Sequence, residues 1–210
     1  MSRTRRRSKA AVGVAVAVAV ALGLGLGVTA LAWPPDQTAR AADVVFVIGP
    51  PTDARIELAE ALVAEHGAQL LLVSTTLPEA AAPRDTGWPK PDRPAWAQGE
   101  GSSVSAVDEL CERSDWGGVG VLCLQPEPFT TQGEARALAA LMKERGFETA
   151  TVVTMTPHVA RTRLLVDRCD EASADVHVIG VDEGLDAGGW AWQLVYQAGG
   201  FVKAVMTPGC

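Results

Sequence analysis

Residues 149–169 read TATVVTMTPHVARTRLLVDRC. The first seven form an apolar, β-branched run of strand length, and 157–169 follows at once as a helical candidate. Between them Thr156 suits a helix N-cap and Pro157 a helix first turn. A strand that passes directly into a helix is half of a strand–helix–strand unit, so the question is whether the unit repeats.

It does. Residues 43–48, 69–74, 119–124 and 175–179 are further strand-type runs. Residues 52–66 carry Ile56, Ala59, Leu62 and Val63 at helical spacing before Gly67, and 104–113, 131–145 and 190–205 are the other helical candidates. Continuous apolar strands alternating with amphipathic helices are strands buried on both faces. The expected fold class is therefore α/β, a doubly wound, Rossmann-like parallel sheet in three α/β/α layers. Residues 78–101 break the alternation with five of the 13 prolines, Trp88 and Trp96. They read as a loop insertion whose tryptophans pin it to the domain, stack on a sugar, or meet a bilayer interface.

The 210 residues carry 18 basic and 25 acidic side chains, but the signs are unevenly placed. Arg3, Arg5, Arg6, Arg7 and Lys9 stand before residue 10 and no acid precedes Asp36, which leaves 13 basic against 25 acidic residues downstream, a net of −12. Phosphate-backbone affinity needs a cationic face on the folded part, so nucleic acid is excluded as a partner. Residues 10–32 are uncharged Ala, Val, Leu and Gly with one Thr. As a helix at ~1.5 Å per residue they reach roughly 34 Å, enough to cross a ~30 Å hydrocarbon core.

The basic cluster before this run, with Arg40 as the only nearby basic residue after it, keeps the N-terminus in the cytoplasm by the positive-inside rule. The expected organisation is a cytoplasmic basic segment (1–9), a transmembrane signal anchor (10–32), a linker (33–42) and an extracytoplasmic domain (43–210), single-pass in the plasma membrane. Ala30-Leu31-Ala32 offers the alternative of cleavage after Ala32, although the run exceeds the ~7–15 apolar residues of a secretory signal. Arg5-Arg6 lacks the apolar residues that follow the pair in a twin-arginine signal.

Outside the cytoplasm, disulfides persist. Cys111, Cys123, Cys169 and Cys210 allow three pairings. Cys111 with Cys123 is favoured, since a helix end and the end of the next strand can lie close, and Cys169 is then left with Cys210. No C-x-x-C pattern supports a zinc or thioredoxin-like site.

In open parallel sheets ligands bind beyond the carboxyl ends of the strands. After the first strand come Gly49, Pro50 and Pro51, where two prolines remove two amide donors. No G-x-G-x-x-G or P-loop pattern occurs, which argues against a dinucleotide or nucleoside triphosphate. Ser74, Thr75 and Thr76 follow the second strand, Thr130-Thr131-Gln132-Gly133-Glu134 closes the segment after the third, and His158, Arg161 and Arg163 follow the fourth.

Thr131 and Glu134 have the spacing of a capping box. His158 would stand at the second position of its helix, where the dipole disfavours the charged ring and leaves a neutral base. Arg161, three residues on, shares its face, whereas Arg163 points elsewhere. A neutral His, a Glu and an Arg at adjacent strand ends can bind a phosphate or phosphodiester and move a proton. His66 reads as a helix-end residue and His177 as packed in a strand. Three histidines so dispersed make no zinc site, and neither metal nor cofactor is expected. Ser74 is a candidate hydroxyl without the G-x-S-x-G elbow of a hydrolase.

The T-x-x-E-A run at Thr131–Ala135, followed by Thr156-Pro157-His158 and Arg161-Thr162-Arg163, resembles the SanA/YdcF/ElyC-like family, a bacterial domain of unknown function. The resemblance spans roughly 43–205: an apolar strand ending in Gly49, Arg55 in the first helix, a strand ending in Ser74, then these two motifs. The family usually shows a second glycine where Pro50 stands, and Ser-Gly-Gly where this chain has Ser74-Thr75-Thr76. The resemblance implies a membrane-anchored role in cell-envelope biogenesis, around lipid-linked precursors of wall polysaccharide or peptidoglycan. The expected site has His158 and Glu134 as catalytic residues and Ser74, Thr131, Arg161 and Arg55 binding a phosphate-bearing lipid-linked or glycan substrate. The activity is then that of a hydrolase or transferase, or else of a non-catalytic ligand- or partner-binding envelope factor.

Overall fold

A computed structural model describes residues 33–35, 38–75, 104–113, 115–170 and 174–210, with helical positions 12, 14–16, 18, 23, 25–27 and 29 ahead of them. The expected basic segment 1–9, most of the expected anchor 10–32, and the loop bearing Trp88 and Trp96 lie outside the described residues. Among the described residues no helix is long and apolar enough to cross a membrane.

The chain runs β1 (Val44–Val47), α1 (Asp53–His66), β2 (Leu70–Ser74), α2 (Val104–Glu112), β3 (Asp115–Trp116), β4 (Val119–Leu124), α3 (Thr131–Arg145) and β5 (Thr149–Met155). A 3-10 turn (Thr156–His158), α4 (Val159–Cys169), β6 (Asp175–Val181) and α5 (Ala187–Met206) complete it. The fold is α/β and Rossmann-like, on a six-stranded sheet of order β3-β4-β2-β1-β5-β6.

Five strands pair in parallel, and β3 pairs antiparallel with β4. The sheet is thus mixed, where a wholly parallel one is expected from sequence. The added strand is two residues long, too short for any periodicity. Its signal is Gly117-Gly118, both at positive φ (62° and 91°), the dipeptide of a tight hairpin turn.

β1 and β2 are buried at every position, as strands covered on both faces must be. On one face Val45, Val47, Leu71 and Val73 pack with Ile56, Ala59 and Leu62 of α1 and with Val107 and Leu110 of α2. On the other, Val44, Phe46, Leu72 and Val152 pack with Leu138 and Met142 of α3 and Val159 of α4. Helix α5 adds a smaller cluster through Ala204, against Leu165 and Val166 of α4 and Ala135 of α3.

The amino ends of the strands are tied together by Asp43. Its carboxylate accepts from the Thr149 hydroxyl (2.9 Å), the Thr149 and Glu148 amides (both 3.0 Å) and Gln69 (2.7 Å). These donors, the Thr149 hydroxyl foremost, hold its pKa below the ordinary value against the opposing effect of burial. Both favoured disulfides form: Cys111–Cys123 joins α2 to β4, and Cys169–Cys210 joins the end of α4 to the C-terminus.

Candidate functional site

The strand order reverses between β1 and β5, since the chain leaves β1 toward β2 and leaves β5 toward β6. In open parallel sheets the carboxyl ends of such a pair form the crevice where ligands bind. Five of the sequence-predicted residues, Ser74, Thr131, Glu134, His158 and Arg161, come together at this end of the sheet.

Glu134 is 3% exposed, and its Oε1 accepts the Gly49 amide at 2.7 Å. Gly49 leaves β1 so tightly that a Cβ would lie 2.9 Å from both Phe129 Cζ and Ser74 O, a separation that side chains do not tolerate. Burial raises the Glu134 pKa. The nearby Ser74 hydroxyl, the Gly49 amide, and the charges of Arg55 and Arg161 pull against that rise. The Ser74 hydroxyl is itself fully buried and makes no hydrogen bond of ordinary geometry, so its influence on Glu134 is one of proximity.

His158 is held from both ring nitrogens. Thr154 Oγ1 stands 3.0 Å from Nδ1, and Arg161 Nη2 stands 2.6 Å from Nε2, with Thr131 Oγ1 3.3 Å away. A guanidinium only donates, so Nε2 must accept and the ring proton sits on Nδ1, directed at Thr154. Burial, then the Arg161 charge, then the Arg55 charge hold the His158 pKa well below 6.5. The ring is neutral.

Arg161 lies along α5. Its guanidinium carbon sits 5.4 Å from the Tyr196 ring centroid, a cation–π distance, and Gly200 leaves the space its side chain fills. Its Nε is buried without a hydrogen-bond partner. Arg55 is committed otherwise: Nε pairs with Glu183 at 2.7 Å, and Nη1 donates to Ile48 O (3.1 Å) and Pro50 O (3.0 Å). It ties the loop after β1 to the loop after β6 and acts on the crevice through its charge.

Three local expectations are corrected. The N-cap of α3 is Thr130, extended at φ −148°, whose hydroxyl accepts from Gly133 N, and Thr131 is the first helical residue. The Thr131 hydroxyl is thereby released to face His158, and Glu134 reaches Gly49 across the sheet rather than back to a cap. Thr156 opens a 3-10 turn and donates to Val181 O instead of capping α4. His158 therefore ends that turn and stands at the N-cap of α4 rather than at its second position, with burial and the charges of Arg161 and Arg55 disfavouring its charged form.

Arg163 donates to Pro35 O and Val178 O at 2.6 and 2.8 Å, away from the crevice. Thr76 lies outside the described residues. Sequence reasoning missed Thr154, Tyr196, Gly200 and Phe129. Thr154 had a signal, being one strand residue with a hydroxyl four positions before the histidine. The other three come from packing between distant segments. A cavity of about 310 Å³ lies between α1 and α2, lined by Asp53, Glu57, Glu60 and Glu109 with Arg113, which pairs with Glu109, and the acids outnumber the one cation there. Among the described residues no group of three or more His, Cys, Asp or Glu side chains is placed to hold a metal.

No protein-family model matches the chain, and no curated protein matches it. The likeness to the SanA/YdcF/ElyC-like motifs therefore rests on the quoted residues alone.

Proposed function

We propose that this is a membrane-anchored extracytoplasmic protein of cell-envelope biogenesis, of SanA/YdcF/ElyC-like kind. In this reading the sheet is doubly wound, and the crevice between β1 and β5 receives the phosphate of a lipid-linked or glycan precursor. One observation carries it: Arg161 keeps a buried, unpartnered Nε and makes no contact-distance ion pair among the described residues. A buried cationic donor of this kind is costly unless an anion completes it. Thr131 and the buried Ser74 hydroxyl add uncharged donors beside it.

The reaction class that fits is hydrolysis or transfer at a phosphoester or phosphoanhydride phosphorus. An incoming phosphate draws the Arg161 guanidinium toward itself and releases the Nε2 lone pair of neutral His158, which then accepts a proton from the attacking hydroxyl. Glu134, whose pKa burial raises, is the carboxyl group that would donate to the leaving oxygen once it takes up a proton. The second reading, binding without turnover, has one observation in its favour: Arg161 already occupies the lone pair that a base would use.

The test is calorimetric titration of the full-length chain in detergent micelles with a polyprenyl phosphate and with inorganic phosphate, beside release of phosphate from a polyprenyl diphosphate. Wild type is expected to bind, and R161A to bind at least ~10-fold more weakly, the size of one charge-assisted hydrogen bond. H158A and E134Q that bind normally but lose turnover ~100-fold support catalysis. Binding with no turnover by wild type selects the second reading, and no binding of either phosphate by wild type sinks both.

A further inference from the structure

Helix α5 is built the wrong way round for a helix that ends its packing at the domain surface. Its buried positions are Gly189, Gln197 and Ala204. Gln197 is 2% exposed and donates to Gln193 at 3.0 Å, while Val195 is 69% and Val202 57% exposed. Trp192, Val195, Tyr196, Val202 and Met206 fall on one helical stripe that also carries exposed Lys203, the only charged residue of the helix and one whose stem can lie along an apolar surface while its ammonium reaches water. A surface helix ordinarily turns its apolar stripe inward. One that turns a glutamine inward and valines and aromatics outward has an apolar neighbour on its outer side.

We infer that the outer face of α5 seats on the lipid bilayer and so holds the mouth of the crevice at headgroup level. This rests on the anchored, extracytoplasmic reading above. The occupant is argued from where the chain enters. The apolar run 10–32 ends just before Trp33, which is 73% exposed, and Pro35 O accepts from Arg163 of α4 at 2.6 Å. Helix α5 packs on that same helix, so the tether reaches the domain at the helix that carries the apolar stripe. Exposed Trp33, Trp192 and Tyr196 are the residue types that settle at a bilayer interface. Tyr196 belongs to both places: it lies on the stripe and under the Arg161 guanidinium. A lipid-linked phosphate would then meet Arg161 without leaving the membrane surface.

The test uses the full-length chain reconstituted in vesicles of phosphatidylethanolamine and phosphatidylglycerol (about 3:1). A fluorophore is placed through V202C, with E57C on α1 as the reference. No native cysteine is free to compete for the label. The α5 probe is expected to be quenched several-fold more by brominated lipid than the reference, and shielded from aqueous iodide. V195E in the V202C background should abolish that difference while the chain still floats with the vesicles. A floating chain whose α5 probe is as open to iodide as the reference overturns the docking and leaves the anchor standing. A probe shielded from iodide but unquenched by lipid, with crosslinked pairs of chains, assigns the face to a second copy and equally overturns it. A chain that does not float overturns both readings.

Discussion

Arg161 Nη2 stands 2.6 Å from His158 Nε2, a cation donating to a ring that burial already keeps neutral. The pair is self-consistent only while the ring is uncharged, because a protonated His158 would set two positive charges in contact. The first prediction follows from that opposition. R161Q removes the charge and keeps a donor, so the His158 pKa should rise toward 6.5 and stop short of it, since burial remains the larger cause. Imidazole titration by NMR reads this directly, and an unchanged or lowered pKa in R161Q would contradict the assignment.

The same shift makes stability depend on pH. The folded pKa of His158 is depressed, so below pH 6.5 the unfolded chain takes up a proton that the folded chain refuses. Its contribution to stability is present above 6.5 and is lost as pH falls from there toward the folded pKa. Glu134 runs the opposite way: its raised pKa favours the folded state below 4.5, and that advantage is lost as pH rises through the folded value. Denaturant midpoints measured across pH 4–8 should therefore fall more steeply on acidification for wild type than for H158Q. Equal slopes would mean that His158 titrates normally.

The alternation of strands and helices was legible because each of the five parallel strands lies in a segment rich in apolar, β-branched residues, and the boundaries of α3, β4 and β5 coincide with the patterned segments. Both disulfides were legible for the same reason, since Cys111 and Cys123 close successive elements. The site was legible only as a set of strand-end residues. Its wiring was not, because a Thr130-Thr131 pair offers two equivalent caps, and the sequence does not show that Thr130 takes the cap while the Thr131 hydroxyl faces His158 at the end of the 3-10 turn. Nor does the sequence indicate that Arg55 is taken by Glu183, 128 residues away, while Arg161 is not so taken.

Glu134 separates charge from hydrogen bonding. E134Q keeps an oxygen for the Gly49 amide and removes a buried carboxylate, so stability at pH 7 should stay within about 1 kcal/mol of wild type or rise. E134A leaves that amide without its acceptor and should cost about 1–3 kcal/mol. Chemical denaturation at pH 7 distinguishes them, and a Gln variant as damaging as the Ala variant would show that the charge itself holds the loop.

Gly49 is a point of close backbone approach beside Glu134. G49A drives a methyl into Phe129 and into the Ser74 carbonyl at 2.9 Å each. Phe129 is 39% exposed and can swing aside, but the carbonyl belongs to a central strand and cannot. The cost should be about 1–3 kcal/mol, the range of overpacking, and F129A should relieve only part of it. Full rescue by F129A would place the strain in the aromatic ring alone.

The Cys169–Cys210 bridge closes a 41-residue separation that contains all of α5. Loop-closure entropy alone makes such a crosslink worth about 4 kcal/mol as an upper figure. The tail is also fixed by Gln132 to Gly209 O at 3.1 Å, Arg136 to Cys210 O at 2.6 Å, and Arg168 to Ala204 O, so the folded end survives without the bridge at a reduced margin. C169A/C210A should lower the denaturation midpoint by an amount equivalent to about 2–4 kcal/mol. It should also raise amide exchange along α5 before it does so in β1 or β5, because α5 packs chiefly on α4 and the 3-10 turn and buries only Gly189, Gln197 and Ala204, whereas β1 is buried throughout. Since Tyr196 and Gly200 lie against the Arg161 side chain, the proposed phosphate binding should weaken together with α5 protection. Loss of stability with α5 exchange unchanged would separate the bridge from the site and limit its role to shortening the unfolded chain.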